Sequence, residues 1–148
     1  MRCGRFHLAV AALLLMLPLT AAAQTFQAEL DPVPFDDSTK PNVVGIGTVT
    51  AALDGNTLSI SGTFSGLSSP AIAAHLEMSL GMGVIPGTTI GELTVAHDQS
   101  GAVSGKAKLG AAQLAALKRN AIFIRIDSEK APDGNLEGWL ERSDQSAP

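Results

Sequence analysis

Apart from Cys3, close to its N-terminus, the sequence has no cysteine. Beyond that position this excludes disulfides, thiol catalysis and cysteine-based zinc sites. There is no tyrosine and one tryptophan, with five phenylalanines. So few aromatics make a base-stacking platform a poor expectation. Positive charge is also scarce. Ten Lys and Arg face fourteen Asp and Glu, a net charge of −4. Removing Arg2 and Arg5 with the leader described next takes it to −6. A chain this acidic is poorly suited to nucleic acid or to an anionic membrane surface.

The first 23 residues read as a secretory signal peptide. Arg2 and Arg5 supply a positive start, His7 to Leu19 is mostly apolar, and Thr20-Ala21-Ala22-Ala23 supplies small residues for cleavage. The apolar stretch is shorter than the ~20 residues a bilayer span requires. Cleavage is expected after Ala23, and no later apolar run is long enough to span. Residues 24–148 are then one domain of an exported protein, periplasmic or extracellular, and large enough to bury a core unaided.

Within that domain, period-two patterns dominate. Phe26 to Leu30 reads as a short strand and Asp31 to Pro41 as a solvated loop, since its prolines cannot donate to a sheet. In Asn42 to Leu53, Val43, Val49, Ala51 and Leu53 share a face. Asp54-Gly55-Asn56 is a hairpin turn. Thr57 to Leu67 returns with Leu58, Ile60 and Phe64 inward and hydroxyls outward. In Ala71 to Leu80, Ile72, Ala74, Leu76, Met78 and Leu80 form one face, with His75 and Glu77 on the other. Gly81 to Gly87 is a loop, and Thr88 to Val95 and Ala102 to Leu109 form a pair of strands. Ala111 to Arg119 is the one expected helix, with basic residues at its C-terminal end. Ala121 to Ser128 is a strand with Ile122, Ile124 and Ile126 on one face. Ala131 to Asn135 reads as a second Asp-Gly turn before a closing strand at Leu136 to Leu140. The expectation is all-β: an antiparallel Greek-key sandwich or barrel with one short helix.

The segments GIGTVTAALDG and TLSISGTFSGLSSPAIAAHLE, the helix bearing Leu114 and Leu117, the strand FIRIDS and the closing PDGNLEGWL together resemble the CHRD domain. That family includes the repeat of the developmental inhibitor chordin and many exported microbial proteins. The resemblance runs from about Phe26 to Leu140. It implies a β-rich extracytoplasmic module and no general catalytic activity. The family typically has a second histidine where Glu77 stands, a His-Thr where Asp127-Ser128 stands, and often a basic residue at Glu137. Two imidazole positions are therefore carboxylates in this chain.

Spacing singles out one cluster. His75 and Glu77 are two apart on a strand and share a face, as do Arg125 and Asp127. If the two strands are neighbours, all four converge on the outer side of one sheet. His75, Glu77 and Asp127 would then offer one nitrogen and two oxygen donors, a set suited to zinc, manganese or iron. The plainer alternative is a solvated face on which Glu77 pairs with Arg125. A copper–zinc superoxide dismutase chemistry is excluded, because only His75 and His97 remain after the leader. His97 lies in a polar turn, no Gly-x-Ser-x-Gly is present, and Asp31, Asp36 and Asp37 lack calcium-loop spacing.

The functional expectation is a non-enzymatic binding or structural module needing no cofactor. Its expected partner is an envelope or extracellular protein or a polysaccharide. The rival is a metal-binding protein or metal-dependent enzyme using His75, Glu77 and Asp127.

Overall fold

Asp54 and Gly55 turn the chain between two nine-residue strands, β2 (Ile46–Asp54) and β3 (Thr57–Ser65), with Gly55 at φ 61°. Glycine takes that backbone without strain. In both strands apolar residues alternate inward, so Val49, Ala51, Leu53, Leu58, Ile60 and Phe64 are all buried. The regular stretches of the remaining strands place apolar residues inward in the same way. The computed structural model of the protein describes residues 22–144. The leader thus falls outside the described residues except for Ala22 and Ala23, as do residues 145–148.

The other strands are β1 (Gln24–Pro32), β4 (Ala71–Met78), β5 (Thr88–Val95), β6 (Gly101–Lys108), β7 (Ile122–Ser128), β8 (Ala131–Trp139) and the short β9 (Glu141–Arg142). Every pairing is antiparallel, and the order β2-β3-β6-β5-β4-β7-β8-β1 closes through β1 and β2 into an eight-stranded barrel. The β3 to β4 and β6 to β7 connections each cross two intervening strands, which is Greek-key topology. Strand β9 adds to β1 at Phe26 and Gln27. Two seams are narrow. β5 meets β6 only at Thr94↔Ser104 and Val95↔Val103, and β1 meets β8 only at Asp31↔Glu137 and Pro32↔Leu136. No helix among the described residues is long and apolar enough to cross a membrane.

The helix α1 (Ala111–Lys118) joins β6 to β7 and puts Ala116 and Leu117 into the core. The Gln113 side chain accepts the Gly110 N–H at 2.9 Å, which satisfies one of the free donors at the helix start. At the other end Asn120 takes φ 58°, and the Ala121 N–H returns to the Ala116 carbonyl at 2.9 Å.

Three sequence expectations are corrected. Ile72 and Leu80 do not join the inward face of β4: they are 40% and 87% exposed. The register of β4 against β7 shifts between Ala71 and Ala73, and the strand ends at Met78, so the period of two fails at both ends. The second Asp-Gly is not the hairpin turn either. The chain reverses at Glu129-Lys130, since Ser128 pairs with Ala131. Asp133-Gly134-Asn135 belongs to an outward excursion of β8, where residues 132–135 face only Asp127 across the pair. Buried Asn135 anchors that excursion by accepting the Ser128 hydroxyl at 2.8 Å and donating to the Val44 carbonyl at 2.7 Å.

Candidate functional site

Inward positions of β4, β7 and β8 carry Ala74, Leu76, Ile124, Ile126 and Leu136, all at most 1% exposed. The alternate positions must therefore point out of the barrel, and they hold the charges. His75 lies opposite Glu92 of β5 and opposite Arg125 of β7, while Arg125 lies opposite Glu137 of β8. One row across four strands thus reads Glu92, His75, Arg125, Glu137.

The four residues singled out by spacing do meet. His75 Nε2 is 3.0 Å from Asp127 Oδ2, and Arg125 Nε donates to Asp127 Oδ1 at 2.9 Å. Arg125 Nη1 is 3.0 Å from Glu77 Oε1. His75 Nδ1 is 2.8 Å from Glu92 Oε2, but this contact is a close approach and not an aligned hydrogen bond. Arg125 thereby bridges two carboxylates, and Asp127 bridges Arg125 and His75.

This face is not open to water as the alternation suggests. Glu77 is 2% and Asp127 4% exposed. Loops supply the cover. The 79–87 segment is folded back by the Ser79 hydroxyl donating to the Val84 carbonyl, and by the Ser79 N–H donating to the Ala121 carbonyl at 2.8 Å. Its Gly87 lies so close to the Phe123 ring that a Cβ there would sit 2.7 Å from it and 3.0 Å from Glu77 Oε2. On the other side the Val33 N–H donates to the Asn135 carbonyl at 3.1 Å. Gly134 (φ 132°) leaves room between Val33 and the Arg125 stem, where a Cβ would come within 3.2 and 3.3 Å of them. Phe123 is 1% exposed, yet it lies outside the barrel core and stacks on Trp139 with ring centroids 4.5 Å apart. Two aromatics and a charge network thus form an outer layer beneath the loops.

Between this layer and the loops lies a cavity of about 310 Å³, lined by Glu77, Phe123, Arg125 and Glu137 beneath and by Val33, Pro34, Ile85, Pro86 and Gly87 above. A larger groove of about 500 Å³ runs along β1 and β8 and shares Glu137 with it. The smaller cavity holds the chemistry, because it reaches the ion-paired residues and is walled by apolar side chains. Partial burial, and then the Glu77 carboxylate, push Glu137 above the usual carboxylate range, with Arg125 opposing. Asp133 of β8 also lines the smaller cavity, and the sequence reading passed over it and Glu92 as site residues and used Glu137 only as a family position. Strand register places Glu92 and Glu137, and register is legible only once the pairing is known.

The metal reading does not fit. Both Asp127 oxygens are engaged, one by Arg125 and one by His75, and Glu77 faces the same guanidinium. A divalent ion shared by His75, Glu77 and Asp127 would have to displace Arg125. Among the described residues no group of three His, Cys, Asp or Glu side chains is placed to hold a metal ion. His97 is exposed in its turn, as expected.

The CHRD domain family matches residues 26–140. That span covers the barrel from β1 to the end of β8, and the chain belongs to this family. Comparison with curated proteins and with solved structures gives no match.

Proposed function

We propose that the protein is an exported, non-catalytic binding module of CHRD type. Its ligand face is the outer surface of β4, β7 and β8 around His75, Glu77, Arg125 and Asp127. One observation carries this reading: buried charges are gathered beside a cavity that opens to solvent. Such a network is a poor source of stability, because desolvation offsets the attraction between the partners. A fold that needed only stability would be served as well by apolar residues there. The preformed cavity beside the network supplies a reason to keep it.

The tripartite leader supports delivery to the periplasm or beyond, and mass spectrometry of the exported protein tests it. The expected chain starts within two residues of Gln24, and an intact Met1 on exported material would refute export by cleavage. The partner we favour is an envelope or extracellular protein or a polysaccharide, in keeping with the acidic surface and against nucleic acid. The binding role is tested by amide NMR mapping against a library of extracellular glycans, peptides and small metabolites. Saturable shifts centred on residues 75–77 and 123–127 are expected. A library that moves only other surfaces, or none, overturns the reading.

A further inference from the structure

Three carboxylates, Glu77, Asp133 and Glu137, line the 310 Å³ cavity, against one cation, Arg125. That cation is already committed, its Nε to Asp127 and its Nη1 to Glu77 Oε1. The other Glu77 oxygen, Oε2, has no partner although the side chain is only 3% exposed. It lies on the side of Gly87, which lines the same cavity. Glu137 stands across the β7/β8 pair from Arg125 and makes no hydrogen bond or close ion pair among the described residues. The cavity is therefore negative on balance, with one oxygen of the buried Glu77 carboxylate and the half-buried Glu137 carboxylate each lacking a close partner. The opposite wall, Val33, Ile85 and Pro86, is apolar.

We infer that this cavity binds a primary alkylammonium, its charged head between Glu77 Oε2 and the Glu137 carboxylate and its aliphatic stem along Phe123, Ile85 and Pro86. An ammonium presents three donors to oxygens that have none, and burying the stem against apolar walls adds affinity. An anion would meet three carboxylates, and a bare metal ion would gain nothing from the apolar wall. The inference rests on the proposed binding role and adds the class of ligand. A lysine side chain of a polypeptide and a small free amine share this chemistry.

The test is amide NMR of the protein at pH 7 titrated separately with n-butylammonium chloride, sodium butyrate, glucosamine hydrochloride and an acetylated Ala-Ala-Lys-Ala-Ala amide. Saturable shifts at Glu77, Gly87, Phe123 and Glu137 are expected with n-butylammonium and with the lysine peptide, and not with butyrate. Glu137→Gln is expected to weaken n-butylammonium about tenfold, the loss of one charge-assisted contact. That variant is expected to be at least as stable as the parent, so weakened binding would not reflect unfolding. Tighter binding of the peptide than of n-butylammonium identifies a polypeptide lysine as the source, and equal or weaker binding identifies a free amine. The inference is overturned if neither n-butylammonium nor the lysine peptide produces saturable shifts at those four amides, if butyrate matches them, or if Glu137→Gln changes nothing. Shifts at the same amides from butyrate alone would leave the binding role standing with the wrong ligand class, and shifts from glucosamine alone, an ammonium without an aliphatic stem, would overturn the stem contact along Phe123, Ile85 and Pro86. Silence from these compounds and from the wider library would remove both.

Discussion

His75 Nε2 and Asp127 Oδ2 lie 3.0 Å apart, although 52 positions separate the two residues in sequence. The antiparallel pairing of β4 with β7 brings them together, and Arg125 holds the far oxygen of the same carboxylate. Asp127 is thus fixed from both sides, and through Arg125 so is Glu77.

Arg125 is expected to hold this layer together. Arg125→Met leaves Glu77 buried without a cation and Asp127 with His75 alone, which should cost about 3 kcal/mol or more in urea unfolding. Adding Glu77→Gln and Asp127→Asn to that variant removes the unpaired charges and should restore much of the loss. A loss below about 1 kcal/mol for Arg125→Met alone would mean that the network behaves as an exposed one.

Glu137 is expected to oppose folding while ionised. Its carboxyl titrates higher in the folded chain than in the unfolded one, so the folded state favours the protonated form. The penalty is full above the folded value. It shrinks as pH falls through that value and is gone below the unfolded value of 4.5. Glu137→Gln should therefore stabilise at pH 7, by no more than about 1 kcal/mol because the side chain is half-exposed. The gain should fade towards pH 4, and a thermal-melt series at several pH values checks it.

Asp36 should behave in the opposite way. Its Oδ1 accepts the Ser38 hydroxyl at 2.6 Å and the Ser38 and Thr39 N–H groups at 2.9 and 3.0 Å. These bonds, the Ser38 hydroxyl foremost, lower its pKa from 3.8 to about 2. The turn over residues 36–39 should be intact above pH 4 and loosen as the pH drops towards 2. Amide exchange or chemical shifts of Ser38 and Thr39 report it. Asp36→Ala should loosen the same amides at neutral pH.

Phe64 is 3% exposed and belongs to the barrel core. Phe64→Ala should cost about 3–5 kcal/mol in denaturant unfolding. A value under about 1 kcal/mol would contradict its burial.

The barrel was largely legible in the sequence, because alternation reports directly on which face of a strand meets the core. Leu58, Ile60, Leu76, Ile122, Ile124 and Ile126 are all buried as that alternation requires. It failed where a strand does not stay regular. The bulge near Ile72 and the β8 excursion at residues 132–135 break the count without altering composition. The convergence of His75, Glu77, Arg125 and Asp127 followed from the same alternation plus one assumption, that β4 and β7 are neighbours. Their burial did not follow. Cover comes from Val33 and from residues 85–87, in loops whose path over a sheet leaves no periodic trace. Phe123 misleads for the same reason: its position reads as outward, and it is outward, yet it is buried.

Strand β1 pairs with β2 along one edge, while its other edge is taken by β8 and β9. The Ser143 N–H donates to the Thr25 carbonyl at 3.1 Å, so the polypeptide comes into the barrel and departs from it at adjacent points. A unit with neighbouring attachment points can be threaded in series like beads, or spliced into a surface loop of a host protein, without stretching either partner. The cavity lies at the far end of β1 from that junction, beside Val33 and Pro34. Copies linked in this way keep their cavities clear of the linkers, and under the proposed binding role their number would set avidity without any change in the individual pocket.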